Sequence, residues 1–292
     1  MSFRRLELET TRMYYAGDFD SALRRLEAEA GDYPELGFRC KTAFLRACLL
    51  ARLGTPDRAL DVLEAGLDDG LWWAESMLAD GDLDSCRGDR LDRITHAAQS
   101  ALPAQPDCFV RHGATGGGVL LALHGGGECV AERDDPWAAA ADAGWTVHRP
   151  MSSQRRGAGL ATWTDLDLAV DECRMHLARI GVIDAIGAFS LGASVALRLI
   201  AAGVHVPVLM VAPSLRPDAI DRAIDAVEGL AIDMVIGDDD PFLPYASKGA
   251  DRVRAAGATV RMETLPGVAH HFPTDFDSLV GQRLERLAHS DR

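Results

Sequence analysis

A serine between small residues, a triplet of aspartates and a pair of histidines each follow an apolar run, and together they could attack a carbonyl group. Ser190 lies in Gly187-Ala188-Phe189-Ser190-Leu191-Gly192-Ala193, after the apolar Val182 to Ile186 and before Ser194-Val195-Ala196-Leu197-Arg198-Leu199-Ile200. Small residues let the chain bend sharply from strand to helix and leave the serine hydroxyl exposed, as in the nucleophile elbow of serine hydrolases. Ala188 stands where G-x-S-x-G has its first glycine, so the pentapeptide alone also suits an ordinary Gly/Ala-rich turn. A free hydroxyl is a weak nucleophile and needs a base, and the base needs an orienting carboxylate. The assignment therefore rests on partners elsewhere in the chain.

Three further segments supply those partners. His124-Gly125-Gly126-Gly127-Glu128 follows the apolar run ending at Leu123, and its glycines let backbone N–H groups face a developing oxyanion. Gly126 is the expected donor from this loop, and Leu191, the residue after the nucleophile, the second. His124 reads as structural, a histidine that orients the loop, and Gly116-Gly117-Gly118 reads as a turn. Gly237-Asp238-Asp239-Asp240-Pro241-Phe242-Leu243-Pro244 offers the carboxylate, with three candidates side by side that would also suit a solvated turn or a weak cation site. Leu265-Pro266-Gly267-Val268-Ala269-His270-His271-Phe272-Pro273 offers the base. Adjacent histidines rarely converge on one metal ion, so proton transfer is the reading taken and no metal is expected. Serine, aspartate and histidine in that chain order match α/β-hydrolases and differ from chymotrypsin-like and subtilisin-like proteases.

Such residues need strand ends to hold them. The pattern predicts strands at Val119–Leu123, Trp145–His148, Ile183–Ile186, Val208–Val211, Ile232–Ile236 and Thr259–Glu263. Helices are predicted at Pro136–Ala143, Asp165–Ile180, Leu191–Ala202, Pro217–Ala226, Ser247–Ala256 and Asp275–His289. The alternation implies an α/β fold, a mainly parallel sheet of about six to eight strands covered on both faces, with function at the carboxyl ends of the strands.

The first hundred residues read differently, as helices ended by Gly31, Gly54 and Gly70. Gly17-Asp18-Phe19-Asp20-Ser21-Ala22-Leu23-Arg24-Arg25-Leu26 matches Gly54-Thr55-Pro56-Asp57-Arg58-Ala59-Leu60-Asp61-Val62-Leu63 at Gly, Asp, Ala, Leu and Leu, 37 residues later. That pattern resembles tetratricopeptide repeats. Two repeats are too few to stand alone, so this region is expected to dock on or cap the rest, with a partner-binding groove as the rival reading. Trp72-Trp73 read as core packing, with substrate-facing aromatics as the rival reading. The expected division is a helical domain over 1–100, a proline-rich linker over 101–107 and a catalytic domain over 108–292.

Composition sets outer bounds. The 292 residues are 48% hydrophobic, and 30 basic against 44 acidic side chains give a net charge of -14. That charge disfavours nonspecific binding to nucleic acid or anionic membrane. Cys40, Cys48, Cys86, Cys108, Cys129 and Cys173 show neither metal-site spacing nor a disulfide framework. Without an apolar signal segment at Met1–Glu7 or a run of about 20 apolar residues, a cytoplasmic setting and no membrane span are expected.

On these motifs, residues 108 to 290 resemble the phospholipase/carboxylesterase group of α/β-hydrolases, which includes the acyl-protein thioesterases. The group's G-G-F-S-Q-G-G is similar to Gly187 through Ala193, with alanines at 188 and 193. Its G-D-x-D-P-x-x-P matches Gly237 through Pro244 and implies Asp240 as the acid. Its G-x-x-H matches Gly267 through His270 and implies His270 rather than His271. A W-x-D before a long helix, which in relatives lies near the site outside the triad, appears as Trp163-Thr164-Asp165 and reads as a packed tryptophan and a helix cap, with substrate contact as the rival reading. The loop His124-Gly125-Gly126-Gly127 departs from the thioesterases' H-G-x-G-D, and the helical region is not part of the minimal thioesterase. Mechanism therefore carries over better than substrate.

The expected activity is hydrolysis of a carboxylic ester or thioester of an acyl substrate through an acyl-serine, with Ser190 as nucleophile, His270 as base, Asp240 orienting it and no cofactor. Acyl transfer or peptide cleavage by the same three residues is the alternative. A noncatalytic binding module, recruiting a protein partner through the helical region, is a third reading.

Overall fold

In the computed structural model, which describes residues 3–98, 107–113, 117–131 and 135–289, the change from helical to alternating sequence is a change of architecture. Helices α1 (Phe3–Tyr15), α2 (Phe19–Glu29), α3 (Leu36–Arg52), α4 (Pro56–Asp68), α5 (Glu75–Leu78) and α6 (Asp89–Ala98) come first. The strands are β1 (Asp107–Arg111), β2 (Val119–Leu123), β3 (Glu128–Cys129), β4 (Thr146–Met151), β5 (Arg155–Gly157), β6 (Leu160–Ala161), β7 (Ala185–Phe189), β8 (Val208–Val211), β9 (Ala231–Gly237) and β10 (Thr259–Leu265). Among them lie α7 (Ala138–Asp142), α8 (Leu166–Ile180), α9 (Gly192–Ala201), α10 (Pro217–Ala223), α11 (Leu243–Ala255) and α12 (Phe276–His289).

The described residues fall into two compact units. One holds 3–98 together with 127–131 and 155–161, so two short excursions from the later sequence belong to it. Residues 101–106 of the expected linker and Gly116 lie outside the described residues, and Asp107 opens β1.

In the first unit the internal repeat has a physical cause. Gly17 and Gly54 both take left-handed φ, +77° and +74°, ending α1 and α3. In each copy the next amide reaches back five residues, Asp18 N to Met13 O at 2.9 Å and Thr55 N to Leu50 O at 3.0 Å, closing the helix end in the same way. The shared alanines, Ala22 and Ala59, and the shared leucines, Leu26 and Leu63, are buried. Trp73 is fully buried and its indole N–H donates to Cys40 O at 3.0 Å, the packing role expected of it. The excursions form the three-stranded sheet β3-β6-β5 of this unit, too short to announce itself in the sequence.

The second unit is a seven-stranded sheet in the order β1-β4-β2-β7-β8-β9-β10. Only β1 is antiparallel, paired with β4 at one edge. The other pairings are parallel. Alternating residues of a strand point to opposite faces, and each face has its own core. Leu121 and Leu123 pack with Ile186, Val195, Met210 and Val253 on the side of α8 to α11. Leu120 and Ala122 pack with Trp137, Leu209, Phe276 and Leu284 on the side of α7 and α12. With both faces covered, the strand ends are the surface left for chemistry.

Candidate active site

Ser190 sits where β7 turns into α9, and it pays for that sharp turn with a left-handed φ of +50°. For a residue with a side chain this conformation costs about 1–3 kcal/mol and persists only where neighbours hold it. Its N–H donates to Val211 O, and its carbonyl accepts from Ser214 N, both at 3.0 Å. The buried Ser194 hydroxyl donates to Ser214 O at 2.7 Å and accepts from Arg216 N at 2.9 Å, fixing the loop after β8 beneath the turn. A Cβ on Gly192 would stand 2.7 Å from His124 O and 2.8 Å from Leu123 O, so glycine is required there. Ala188 and Ala193 are fully buried where their methyls fit the core, which accounts for the two alanines in the motif.

Two strands away, β9 is followed by the aspartate triplet and the geometry separates its members. Asp238 and Asp239 are exposed, whereas Asp240 is buried. Asp240 Oδ2 lies 2.8 Å from His270 Nδ1, and its Oδ1 accepts from Phe242 N at 2.8 Å. Asp238 Oδ1 accepts from Gly267 N at 2.6 Å, tying the aspartate loop to the histidine loop. His270 Nε2 lies 2.8 Å from Ser190 Oγ. His271 turns away, its Nδ1 against Phe272 O at 2.8 Å. Asp240, His270 and Ser190 thus form one hydrogen-bonded line at the carboxyl ends of β9, β10 and β7.

The loop after β2 is built by its neighbours. Ser152 N–H donates to His124 Nε2 at 3.2 Å, which leaves Nδ1 to carry the ring proton and donate it to Gly125 O at 2.7 Å. Trp163 is fully buried, stacks on the His124 ring at 4.2 Å and donates its indole N–H to His124 O at 2.8 Å. His124 and Trp163 are therefore packing and orienting residues, as the sequence suggested. Asp165 caps α8, accepting from Asp167 N and Leu168 N at 2.9 and 3.1 Å. A Cβ on Gly125 would meet the Phe189 ring at 2.7 Å, so the loop lies tight against the elbow. Gly126 is exposed, and a Cβ there would lie 3.7 Å from Leu191 Cδ2. Among the described residues neither Gly126 N–H nor Leu191 N–H donates to a protein acceptor. Unspent donors on the loop packed against Ser190 and on the residue after it suit a developing oxyanion.

Two contributors were not singled out from sequence. Glu172, buried in α8, accepts from Ser152 Oγ at 2.9 Å and from Ser153 N at 3.2 Å, and also bonds Ser153 Oγ. It holds the loop whose amide supports His124. A signal existed, since Glu172 falls on the buried stripe of Ala169, Cys173 and His176. Phe242 sets its ring 4.8 Å from that of His270 while its amide holds Asp240. Among the described residues no three His, Cys, Asp or Glu side chains are placed to hold a metal ion, and no helix is long and apolar enough to cross a membrane.

No protein-family model and no curated protein matches this chain. Solved structures do. An uncharacterized protein from Bacillus cereus ATCC 10987 is 21% identical with a TM-score of 0.54, over 98% of this chain and 99% of that one. The monoacylglycerol lipase of Paleococcus ferrophilus is 14% identical with a TM-score of 0.51, over 64% of this chain and 99% of its own. Esterase PE8 is 13% identical with a TM-score of 0.52, over 63% and 100% respectively. At these identities the likeness is one of fold, and with the sheet order and its flanking helices it identifies the α/β-hydrolase fold.

Proposed function

We propose that this protein is a serine hydrolase that cleaves a carboxylic ester or thioester through an acyl-serine intermediate. The observation that carries the reading is the line Ser190 Oγ, His270 Nε2, His270 Nδ1 and Asp240 Oδ2, with both hydrogen bonds at 2.8 Å. Ser190 attacks the carbonyl as its proton moves to His270. The acceptor Asp240 keeps the Nδ1 proton in place and stabilises the imidazolium that forms. Gly126 and Leu191 N–H groups receive the oxyanion. His270 then returns the proton to the leaving atom as its bond to the acyl carbon breaks, and water, deprotonated by the same imidazole, releases the acid. Two proteins of similar fold are a lipase and an esterase, which agrees with ester chemistry.

The test is Ser190→Ala assayed on a p-nitrophenyl acyl ester, with fluorophosphonate labelling of the folded wild type. Turnover should disappear in the variant, and the label should map to Ser190. A fully active Ser190→Ala protein would falsify the assignment.

A further inference from the structure

The chain that follows the acid is apolar where a surface is usually polar. Pro241, Phe242, Pro244 and Tyr245 are all exposed, Phe242 by 36% and Tyr245 by 64%. Exposed apolar residues beside reacting groups offer a surface that an apolar ligand can cover. Here the patch is fastened to the reacting groups, because Phe242 N–H donates to Asp240 and its ring lies 4.8 Å from His270, tilted by 55°. Tyr245 follows three residues later in the first turn of α11, the spacing that puts two side chains on one side of a helix.

The chemistry says which half of a substrate meets this patch. His270 must deliver its proton to the leaving atom, so the leaving group departs past His270, and the acyl group stays on Ser190. The side chains flanking His270 are therefore on the leaving-group side. Asp238 and Asp239, both exposed, stand just before Asp240 on the same loop. Two carboxylates there disfavour an anionic leaving group such as a nucleotide-borne thiol.

We propose that Phe242 and Tyr245 form a leaving-group subsite that selects esters of uncharged aromatic alcohols. The inference rests on the hydrolase reading above. In the step concerned, the proton taken from Ser190 Oγ passes from His270 to the ester oxygen, the acyl carbon–oxygen bond breaks, and the neutral alcohol leaves across the two rings.

Benzyl butyrate and ethyl butyrate test it, since they share an acyl group and their alcohols are of similar basicity. Wild type should favour the benzyl ester in kcat/KM. Phe242→Ala and Tyr245→Ala should each lower the benzyl-to-ethyl ratio by about 2- to 10-fold, the contribution of one aromatic pair. Phe242→Tyr should restore the ratio. Damage to His270 or to folding slows both esters and drops out of the ratio. Ratios unchanged in both alanine variants, with Ser190 labelled normally by fluorophosphonate, overturn the subsite alone. Absence of labelling in wild type overturns the hydrolase reading, and the subsite with it.

Discussion

The indole N–H of Trp163 donates to the carbonyl oxygen of His124 at 2.8 Å while the two rings stack 4.2 Å apart. The stack fixes the plane of the loop after β2, and the hydrogen bond fixes its depth, so Gly126 N–H is aimed by a residue 37 positions away. Trp163→Phe keeps a ring and removes the donor. Urea unfolding should show a loss of about 1–3 kcal/mol. In the same variant kcat should fall about 10- to 100-fold if Gly126 N–H is the oxyanion donor proposed above, because it is no longer held to a fraction of an ångström. An unchanged kcat would mean that the loop keeps its place without Trp163.

Asp240 differs from its two neighbours in burial and in partners, and substitution should expose the difference. Asp240→Asn can still accept from Phe242 N, but its amide offers His270 Nδ1 a donor instead of an acceptor. The ring then carries its proton on Nε2, where a base is needed, and kcat should drop by about 10⁴-fold with little change in fold. Asp239→Asn, at an exposed carboxylate, should stay within about twofold of wild type. Steady-state kinetics on one ester, with thermal melts as controls, separates the two. Equal losses in both variants would contradict the assignment of Asp240.

The strand ends were legible because each carries its residue immediately after an apolar run, and the β2, β7, β8, β9 and β10 runs all form parallel strands within three residues of their expected bounds. Other features lacked a local signal. Strand β1, Asp107–Arg111, is an edge strand with mixed burial and no alternation to reveal it. The two-residue strands β3 and β6 exist only by pairing with each other and with β5. Helix α11 begins at Leu243 rather than Ser247, since Pro244 occupies a first-turn position where no amide is needed. The helical spacing of α8 marks Glu172 as buried, but its bonds to Ser152 and Ser153 depend on contacts between α8 and the end of β4 that lie far apart in the chain.

Two glycines of the site should respond oppositely to a methyl group. At Gly192 the methyl would press on the carbonyl oxygens of His124 and Leu123 at 2.7 and 2.8 Å, both backbone atoms that cannot swing aside. Gly192→Ala should lose several kcal/mol, about the scale of an overpacked core. At Gly126 the nearest atoms, Leu191 Cδ2 and Thr162 Oγ1, are 3.7 Å away, which is ordinary contact. Gly126→Ala should therefore melt within a few degrees of wild type, while its methyl crowds the space in front of the Gly126 and Leu191 amides and raises KM for bulky acyl groups. A Gly192→Ala protein as stable as wild type would rule out the tight approach of elbow and loop.

Acid should loosen the β1 edge of the sheet through two histidines. Burial lowers the pKa of His148 in β4, helped by His112 and His176. Burial also lowers that of His176 in α8, helped by Arg179 and only partly opposed by Glu172 and Asp107. His176 Nε2 is buried without a hydrogen-bond partner among the described residues, so a proton there would bring an unpaired charge into the core. Both folded pKa values lie below the ordinary value of about 6.5, so the neutral rings contribute stability that is intact above that pH. The contribution is lost as pH falls from about 6.5 through the folded values, because the unfolded chain takes up protons first. Urea midpoints measured at about pH 7.5, 6 and 5 should fall faster for wild type than for the His148→Gln/His176→Gln double variant, in which neither ring can protonate. Parallel pH slopes in the two proteins would assign the acid sensitivity to other groups.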